Sequence, residues 1–322
     1  MSTAIEVDGL TKNYGEVLAN DDVTFAVDEG EVFGYLGPNG AGKTTTIRTL
    51  MGFQSPTAGT ATLLDADVRD EDALVEAKRR IGYLPANPGF DEQVTGDEVL
   101  DLHAAVKGQS RRAELLDLFD VPVERTIRGY STGQKQKLGL VQAFMHDPDL
   151  VVMDEPTSGL DPLVQQRFND FVRNEKERGT TVFLSSHVLS EVRQICDRVG
   201  IIRDGEIVTV ERVSDLLGRS GKSVLVRVAD EVEASAVTLD GVHDLSVRAV
   251  EGRSSESLVG AGGGGGGTRD GATASATELA FTYTGDVNDL VAFVSGLDLL
   301  ELELEEAPLE DVFMRFYGDD DV

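Results

Sequence analysis

The sequence predicts an α/β fold: a mostly parallel, wound sheet with helices around it, followed by a smaller α+β domain. Three observations carry this. Short apolar runs, Val32–Leu36, Leu150–Met153 and TTVFLSS at 180–186, alternate with helix-like stretches. Strands buried on both faces between helices read this way. A glycine-rich turn, Gly37 to Gly42, joins the first run directly to a helical pattern. Beyond residue 223 a second, separate series of strands and helices begins.

The elements follow in order. Residues 3–27 alternate apolar and polar, AIEVDGL and then DDVTFAV, as antiparallel strands with one solvated face do. The turn KNYGEV between them carries Tyr14. A helix runs from about Lys43 to Met51, TAGTATLL is a strand, residues 70–80 form a charged helix and IGYLP from Ile81 a short strand. Residues 95–120 read as helices broken near Gly108. A further helix starts near Gly133 and ends before Pro148, and Leu150–Met153 is a buried strand. Asp161 and Pro162 open the next helix, since Asp caps and Pro suits the first turn. A strand then ends at His187, a helix runs through Ile195, and a hairpin turns at Asp204-Gly205.

The first domain is expected over residues 1–217, with LLGRSGKS at 216–223 as the boundary. The second is expected over 223–318: strand VLVRV, a helix at 229–239, strand HDLSVRAV, strand ELAFTYT, helix DVNDLVAFVSG, strand LLELELEE and a final short helix LEDVFMRFYG. That βαββαβ order suggests a ferredoxin-like accessory domain. A glycine-rich insertion at about 252–275 interrupts its central hairpin. The insertion lacks a following Lys-Ser/Thr and helix, so it reads as a flexible loop and not as a second phosphate site.

Composition narrows the function classes. The chain has 322 residues, enough for two domains, and 40% hydrophobic content fits a folded protein. No apolar run approaches the ~20 residues that span a bilayer. The opening MSTAIEVDG lacks the basic and apolar regions of a signal peptide. A single cysteine, Cys196, excludes an internal disulfide and fits a reducing cytosol. Acidic residues number 58 against 29 basic, a net charge of −29. A nucleic-acid binder carries the opposite sign, so no nucleic-acid partner is expected. The acid is dispersed, and such a surface repels itself unless salt screens it. This reads as adaptation to a salt-rich cytoplasm such as that of a halophilic archaeon.

The residues from Gly37 to Thr45 are GPNGAGKTT, a match to G-x-x-x-x-G-K-[ST]. An apolar strand precedes the motif and a helix follows, the context that a phosphate-binding loop needs. In Gly37, Pro38, Asn39, Gly40, Ala41 and Gly42 the backbone can curl so that its N–H groups point inward at phosphates. The helix N-terminus beyond, with Thr45, adds its positive dipole end. Lys43 is placed to reach β- and γ-phosphates as a point charge. The Thr44 hydroxyl is placed to hold Mg²⁺. A buried parallel strand delivers its last residue to the same sheet edge, so Asp154 can hold Mg²⁺ opposite Thr44. Glu155, one residue further on, can polarise a water in line with the γ-phosphate.

YSTGQ at 130–134, then a helix, then MDEPTSGLDP, resembles the nucleotide-binding subunit of ATP-binding-cassette (ABC) transporters. The likeness covers residues 3 to about 215. It implies a P-loop ABC ATPase domain with a parallel core, an antiparallel β subdomain and a helical subdomain, using ATP and Mg²⁺. In that family two copies sandwich two ATPs. Ser131, Gly133 and Gln134 would then meet the γ-phosphate held by the partner copy's loop. Tyr14 resembles the aromatic that stacks on adenine. Ser158-Gly159-Leu160-Asp161 resembles the loop that speaks across the dimer, and His187 the switch histidine that senses the γ-phosphate. The chain departs from the family at Thr132, where a glycine is usual, and at Ala86, where a glutamine, or in some exporters a glutamate, is usual.

The ending LEEAPLEDVFMRFYG is similar to drug- and sodium-export-type cassettes, which pair with a separate polytopic permease at the cytoplasmic membrane face. The resemblance thus implies an ATPase that drives export. A cassette ATPase acting on DNA or ribosomes is the alternative. The short helical insert before YSTGQ, the one cassette in the chain and the acidic charge count against it. A P-loop phosphotransferase would lack YSTGQ.

Overall fold

The computed structural model describes residues 2–251 and 275–306. The glycine-rich insertion, apart from Ser275, and the terminal helix expected over LEDVFMRFYG lie outside these residues. The chain divides into two compact units, Met1–Val213 and Ser214–Val322.

In the first unit, β1 (Thr3–Asn13) and β2 (Leu18–Asp28) pair antiparallel. Ile5, Val7, Val23, Phe25 and Val27 point into the core while Glu6 and Asp8 stay exposed, the period of two that a half-buried sheet requires. Next, β3 (Val32–Leu36) is buried along its whole length, and α1 (Lys43–Leu50) follows the glycine-rich turn. β4 (Ala58–Leu63) and β5 (Ala66–Asp67) complete the first sheet in the order β2-β1-β4-β5.

After α2 (Glu71–Ala77), capped by Asp70, comes β6 (Ile81–Leu84). The helices α3 (Gly96–Lys107), α4 (Arg112–Phe119) and α5 (Thr132–Phe144) come next. Both α3 and α5 begin with reciprocal capping boxes, Thr95 with Glu98 and Ser131 with Gln134. Then follow β7 (Leu150–Asp154), α6 (Pro162–Glu177), β8 (Thr181–Ser186), α7 (Leu189–Ile195), β9 (Arg198–Arg203) and β10 (Glu206–Arg212). The central sheet has the order β10-β9-β3-β8-β7-β6. Its neighbours run parallel except at the β9–β10 hairpin.

One aromatic cluster joins the two sheets of this unit. The Phe25 ring of β2 stacks on Phe33 at 5.6 Å and Phe183 at 5.8 Å, and tilts against Tyr35 at 5.3 Å. Pairs of this kind contribute about 0.5–1.5 kcal/mol each beyond the area they bury.

Helix α8 (Val213–Ser220) runs through much of the expected boundary, with Val213 and Leu216 buried, and Gly221 at φ 74° follows its end. The second unit holds β11 (Lys222–Val228), β12 (Val242–Glu251), β13 (Ser275–Tyr283), α9 (Val287–Val294) and β14 (Leu299–Glu306). Its sheet is antiparallel, in the order β12-β13-β11-β14. Leu290 and Val294 of α9 share a core with Val224, Val226, Val228, Leu279 and Phe281.

The helix expected at 229–239 does not form; only a 3₁₀ turn, Ala234–Ala236, is present. The Thr277 hydroxyl donates to the Asp230 carbonyl at 2.9 Å and accepts from Val232 N–H at 3.2 Å. Val237 and Leu239 meanwhile pack on the core at a spacing of two. Both contacts hold the segment extended.

Against β6 lie two imidazoles, His103 of α3 and His146 after α5, with ring centroids 5.4 Å apart. Burial, and then the charge of Lys107, lower both to about 4 from 6.5. Lys107 donates to the Ile81 carbonyl at 2.6 Å. Burial and the nearby Lys78 lower it to about 8. The unfolded chain takes up protons on these histidines near pH 6.5 while the fold does not, so their contribution to stability is lost as pH falls toward about 4. The thermal midpoint should therefore fall over this window, and the double variant His103→Gln/His146→Gln should fall less steeply. Equal slopes in thermal melts followed by circular dichroism would refute the assignment.

Candidate active site

The parallel register sets the site. Leu36 of β3 pairs with Ser186 of β8, and Asp154 of β7 with Ser185. The turns leaving these strands therefore emerge side by side at one sheet edge. They line a cleft of about 660 Å³ together with Val17, Leu18 and Ala19, Ala86 and Asn87, and Asp204 and Gly205. That volume lies within the range usual for small-molecule sites.

The loop from Pro38 to Gly40 is exposed at the cleft, and Ala41 is buried beneath it. Gly42 has φ 106°, and a Cβ there would come within 2.4 Å of the Ala19 carbonyl. Only glycine fits this step into α1. Lys43 is 6% exposed; its ammonium donates to the Gly37 carbonyl at 2.6 Å and the Pro38 carbonyl at 3.1 Å. It also lies 3.4 Å from Glu155 Oε1. Thr44 Oγ1 donates to Asp154 Oδ2 at 2.8 Å, and Thr45 completes this wall.

Asp154 is buried, and its other oxygen, Oδ1, accepts from Ser185 Oγ at 2.5 Å. The same hydroxyl accepts from Glu155 N–H at 3.1 Å. Glu155 has φ 50°, the left-handed region that a residue with a side chain enters only when its surroundings impose it. The turn aims its carboxylate at the cleft, where Oε2 lies 2.7 Å from His187 Nδ1. His187 is half exposed. Lys43, Thr44, Asp154, Glu155 and His187 thus form one constellation. Thr44 and Asp154 offer a hydroxyl and a carboxylate oxygen, hard donors that fit Mg²⁺ and leave its other positions to phosphate and water.

Other expected site residues sit elsewhere. Tyr14 is exposed and does not line the cleft; its hydroxyl donates to Gln54 Oε1 at 2.5 Å and Lys12 lies over its ring at 5.1 Å. Ser131 accepts from Gln134 N–H at 3.2 Å as the cap of α5, and Gln134 returns a bond to Ser131 N–H. At Gly133 a Cβ would lie 2.7 Å from the Gly159 carbonyl. Asp161 caps α6 by accepting from Val164 N–H at 3.1 Å. None of these five lines the cleft of its own chain, although Ser158 does.

Sequence reasoning missed Ser185 and Gln136. Gln136 of α5 is buried and donates to the Pro156 carbonyl at 2.9 Å, fastening that helix to the turn after β7. The available signals were a serine doublet ending an apolar strand and a second glutamine two residues after Gln134.

Comparison with known proteins gives consistent likenesses. The family model described as ABC transporter matches residues 20–158. The bacitracin transport ATP-binding protein BcrA of Bacillus licheniformis is 32% identical over 327 residues, covering 99% of this chain and 98% of its own. A solved ATP-binding subunit of an ABC transporter superposes with a TM-score of 0.62 at 32% identity, covering 67% of this chain and 93% of that one. A dimeric ATP-binding cassette in a post-hydrolysis state with ADP and Pi shares the fold, with a TM-score of 0.60 at 24% identity over 65% of this chain and 98% of that one.

Proposed function

The chain belongs to the ABC transporter family as an ATP-hydrolysing subunit that drives transport, and from this premise we propose how its residues do so. The observation that carries the proposal is the joint placement of Lys43, Thr44, Glu155 and His187 in one cleft, with the buried Asp154 bonded to Thr44 behind its wall. Lys43 and backbone N–H groups between Asn39 and Thr45 bind the triphosphate. Glu155 accepts a proton from water as the water oxygen attacks the γ-phosphorus and the bond to the β-phosphate oxygen breaks. His187 holds the Glu155 carboxylate in position. Mg²⁺, held by Thr44 and Asp154, would neutralise charge on the phosphate oxygens.

We also propose that a second copy completes the site. Ser131, Gly133 and Gln134 start a helix outside their own cleft, and a helix N-terminus with a hydroxyl is an anion site. A partner copy would bring them to the γ-phosphate, with the turn Ser158–Asp161 at the junction. Tyr14 would exchange its bond to Gln54 for stacking on adenine. Export is the direction proposed, because the whole chain aligns with a bacitracin transport protein.

The groove beside β6 is proposed to receive a permease at the cytoplasmic membrane face. Phe53, Leu102 and Val106 are exposed there, next to Tyr83, Pro85, Pro88 and Phe90. Among the described residues, neither Lys78 nor Lys107 forms an ion pair; Lys78 lies over the Phe53 ring at 5.4 Å. An apolar groove with two unneutralised lysines suits a permease loop that carries a carboxylate. We assign the dispersed acid to a salt-rich cytoplasm.

Three tests follow. Glu155→Gln should slow hydrolysis roughly 10²–10⁴-fold and accumulate an ATP-bound dimer on gel filtration; an ATP-loaded monomer would refute the sandwich. Lys78→Glu should abolish co-purification with the co-expressed permease while the isolated chain keeps its ATPase rate, and undiminished recovery of the permease would move the docking surface elsewhere. Dialysis out of concentrated KCl should erase the far-ultraviolet circular dichroism signal. A spectrum that survives in dilute buffer would end the high-salt assignment.

A further inference from the structure

Behind the contact between Glu155 and His187 lies a second link between the same two turns. Glu191 of α7 accepts from Thr157 Oγ1 at 2.5 Å through Oε1, and from Ser186 Oγ at 2.8 Å through Oε2. Thr157 stands two residues after Glu155, and Ser186 immediately before His187. Both hydroxyl residues are buried, at 6% and 0% exposure. Ser186 Oγ also accepts from Val188 N–H at 2.9 Å, so the bridge fixes the turn that carries His187. On the other side, Gln136 holds the Pro156 carbonyl.

From this bridge we infer that Glu191 is a positioning residue for hydrolysis. Its carboxylate sets the spacing between the turn at 155–161 and the turn at 186–188. The inference rests on the ATPase reading above. Helix α7 is already seated by the buried Leu189, Val192 and Ile195, so folding does not need a charged side chain at 191. A half-buried carboxylate is costly unless its oxygens are satisfied. Here both are satisfied by the two turns that hold the water-activating group and its histidine. With the bridge cut, the turns can separate, and the pair Glu155–His187 loses the alignment that an attacking water needs. Nucleotide binding by the phosphate loop should persist, because the loop meets this bridge through a backbone bond, Gly37 N–H to the Ser186 carbonyl at 3.3 Å, which loss of the Glu191 carboxylate leaves in place. The bridge also relays displacement of His187 to the turn Ser158–Asp161, which adjoins Thr157.

The test is steady-state ATPase activity of the full chain, with kcat and KM resolved separately. Glu191→Ala removes both charge-assisted hydrogen bonds of the bridge and should lower kcat at least about tenfold, and leave KM for ATP within about twofold. Thr157→Val should lose a similar factor, and the double variant should be no slower than the slower single one, because both cut the same link. Glu191→Gln, whose amide can accept one hydroxyl and donate to the other, should recover most of the rate. If Glu191→Ala does not fold, Thr157→Val and Ser186→Ala cut one arm each and carry the same expectation. Wild-type kcat in the cut variants, losses that multiply in the double variant, or a Glu191→Gln as slow as the alanine variant would overturn the role. A wild-type chain that does not hydrolyse ATP would overturn the ATPase reading itself.

Discussion

The site depends on one constraint, the parallel register of β3, β8 and β7. Ser185 in the middle strand pairs with Tyr35 on one side and Asp154 on the other. Parallel strands deliver all their carboxyl ends to the same edge. The phosphate loop, the Asp154-Glu155 pair and the turn at His187 therefore emerge together without any long-range loop to arrange them. Ser185 then turns register into chemistry, because its hydroxyl meets both the Asp154 carboxylate and the Glu155 amide. The aromatic cluster of Phe25, Phe33, Tyr35 and Phe183 keeps the neighbouring antiparallel sheet seated against these strands. Residues far from the cleft, such as Phe25, thus hold the site indirectly.

Much of this was legible in the sequence, for a physical reason. A glycine-rich turn between a buried strand and a helix has few conformations available, so Lys43 and Thr44 could be placed from spacing alone. Asp154 was legible because four apolar residues ending in a carboxylate describe a buried strand reaching its edge. The reciprocal caps at Thr95 and Ser131 follow from Ser/Thr-x-x-Glu/Gln. What remained hidden depends on partners distant in the chain. The segment 229–239 has helix-forming residues, but Thr277, far along the chain, takes its backbone groups. Tyr14 carries a ring that suits a base, yet its hydroxyl is bonded to Gln54. Nothing local to Ser185, Gln136 or Glu191 announces which carboxylate, carbonyl or hydroxyl will lie opposite.

Charge divides the molecule unevenly. The chain is strongly acidic, yet the region around β6 gathers Lys78, Lys107 and two neutral imidazoles with no carboxylate paired to either lysine among the described residues. Burial disfavours the charge on both lysines, that of Lys78 further disfavours that of Lys107, and both histidines stay neutral beside them. The region is held together by apolar and aromatic contacts, with Phe53 edge-on to Tyr83 at 5.4 Å. An opposite charge arriving from outside would relieve that repulsion.

The left-handed backbone at Glu155 has a consequence for how such a sequence can change. A residue with a side chain held there gives up about 1 kcal/mol that a glycine would keep. Replacement by glycine would thus relax the turn while removing the carboxylate. If Glu155 activates water as proposed, backbone stability and turnover point in opposite directions at this position. On the proposed role of Glu155, a chain shaped only for a robust fold would favour glycine here, and the acid is kept at a cost to its own backbone.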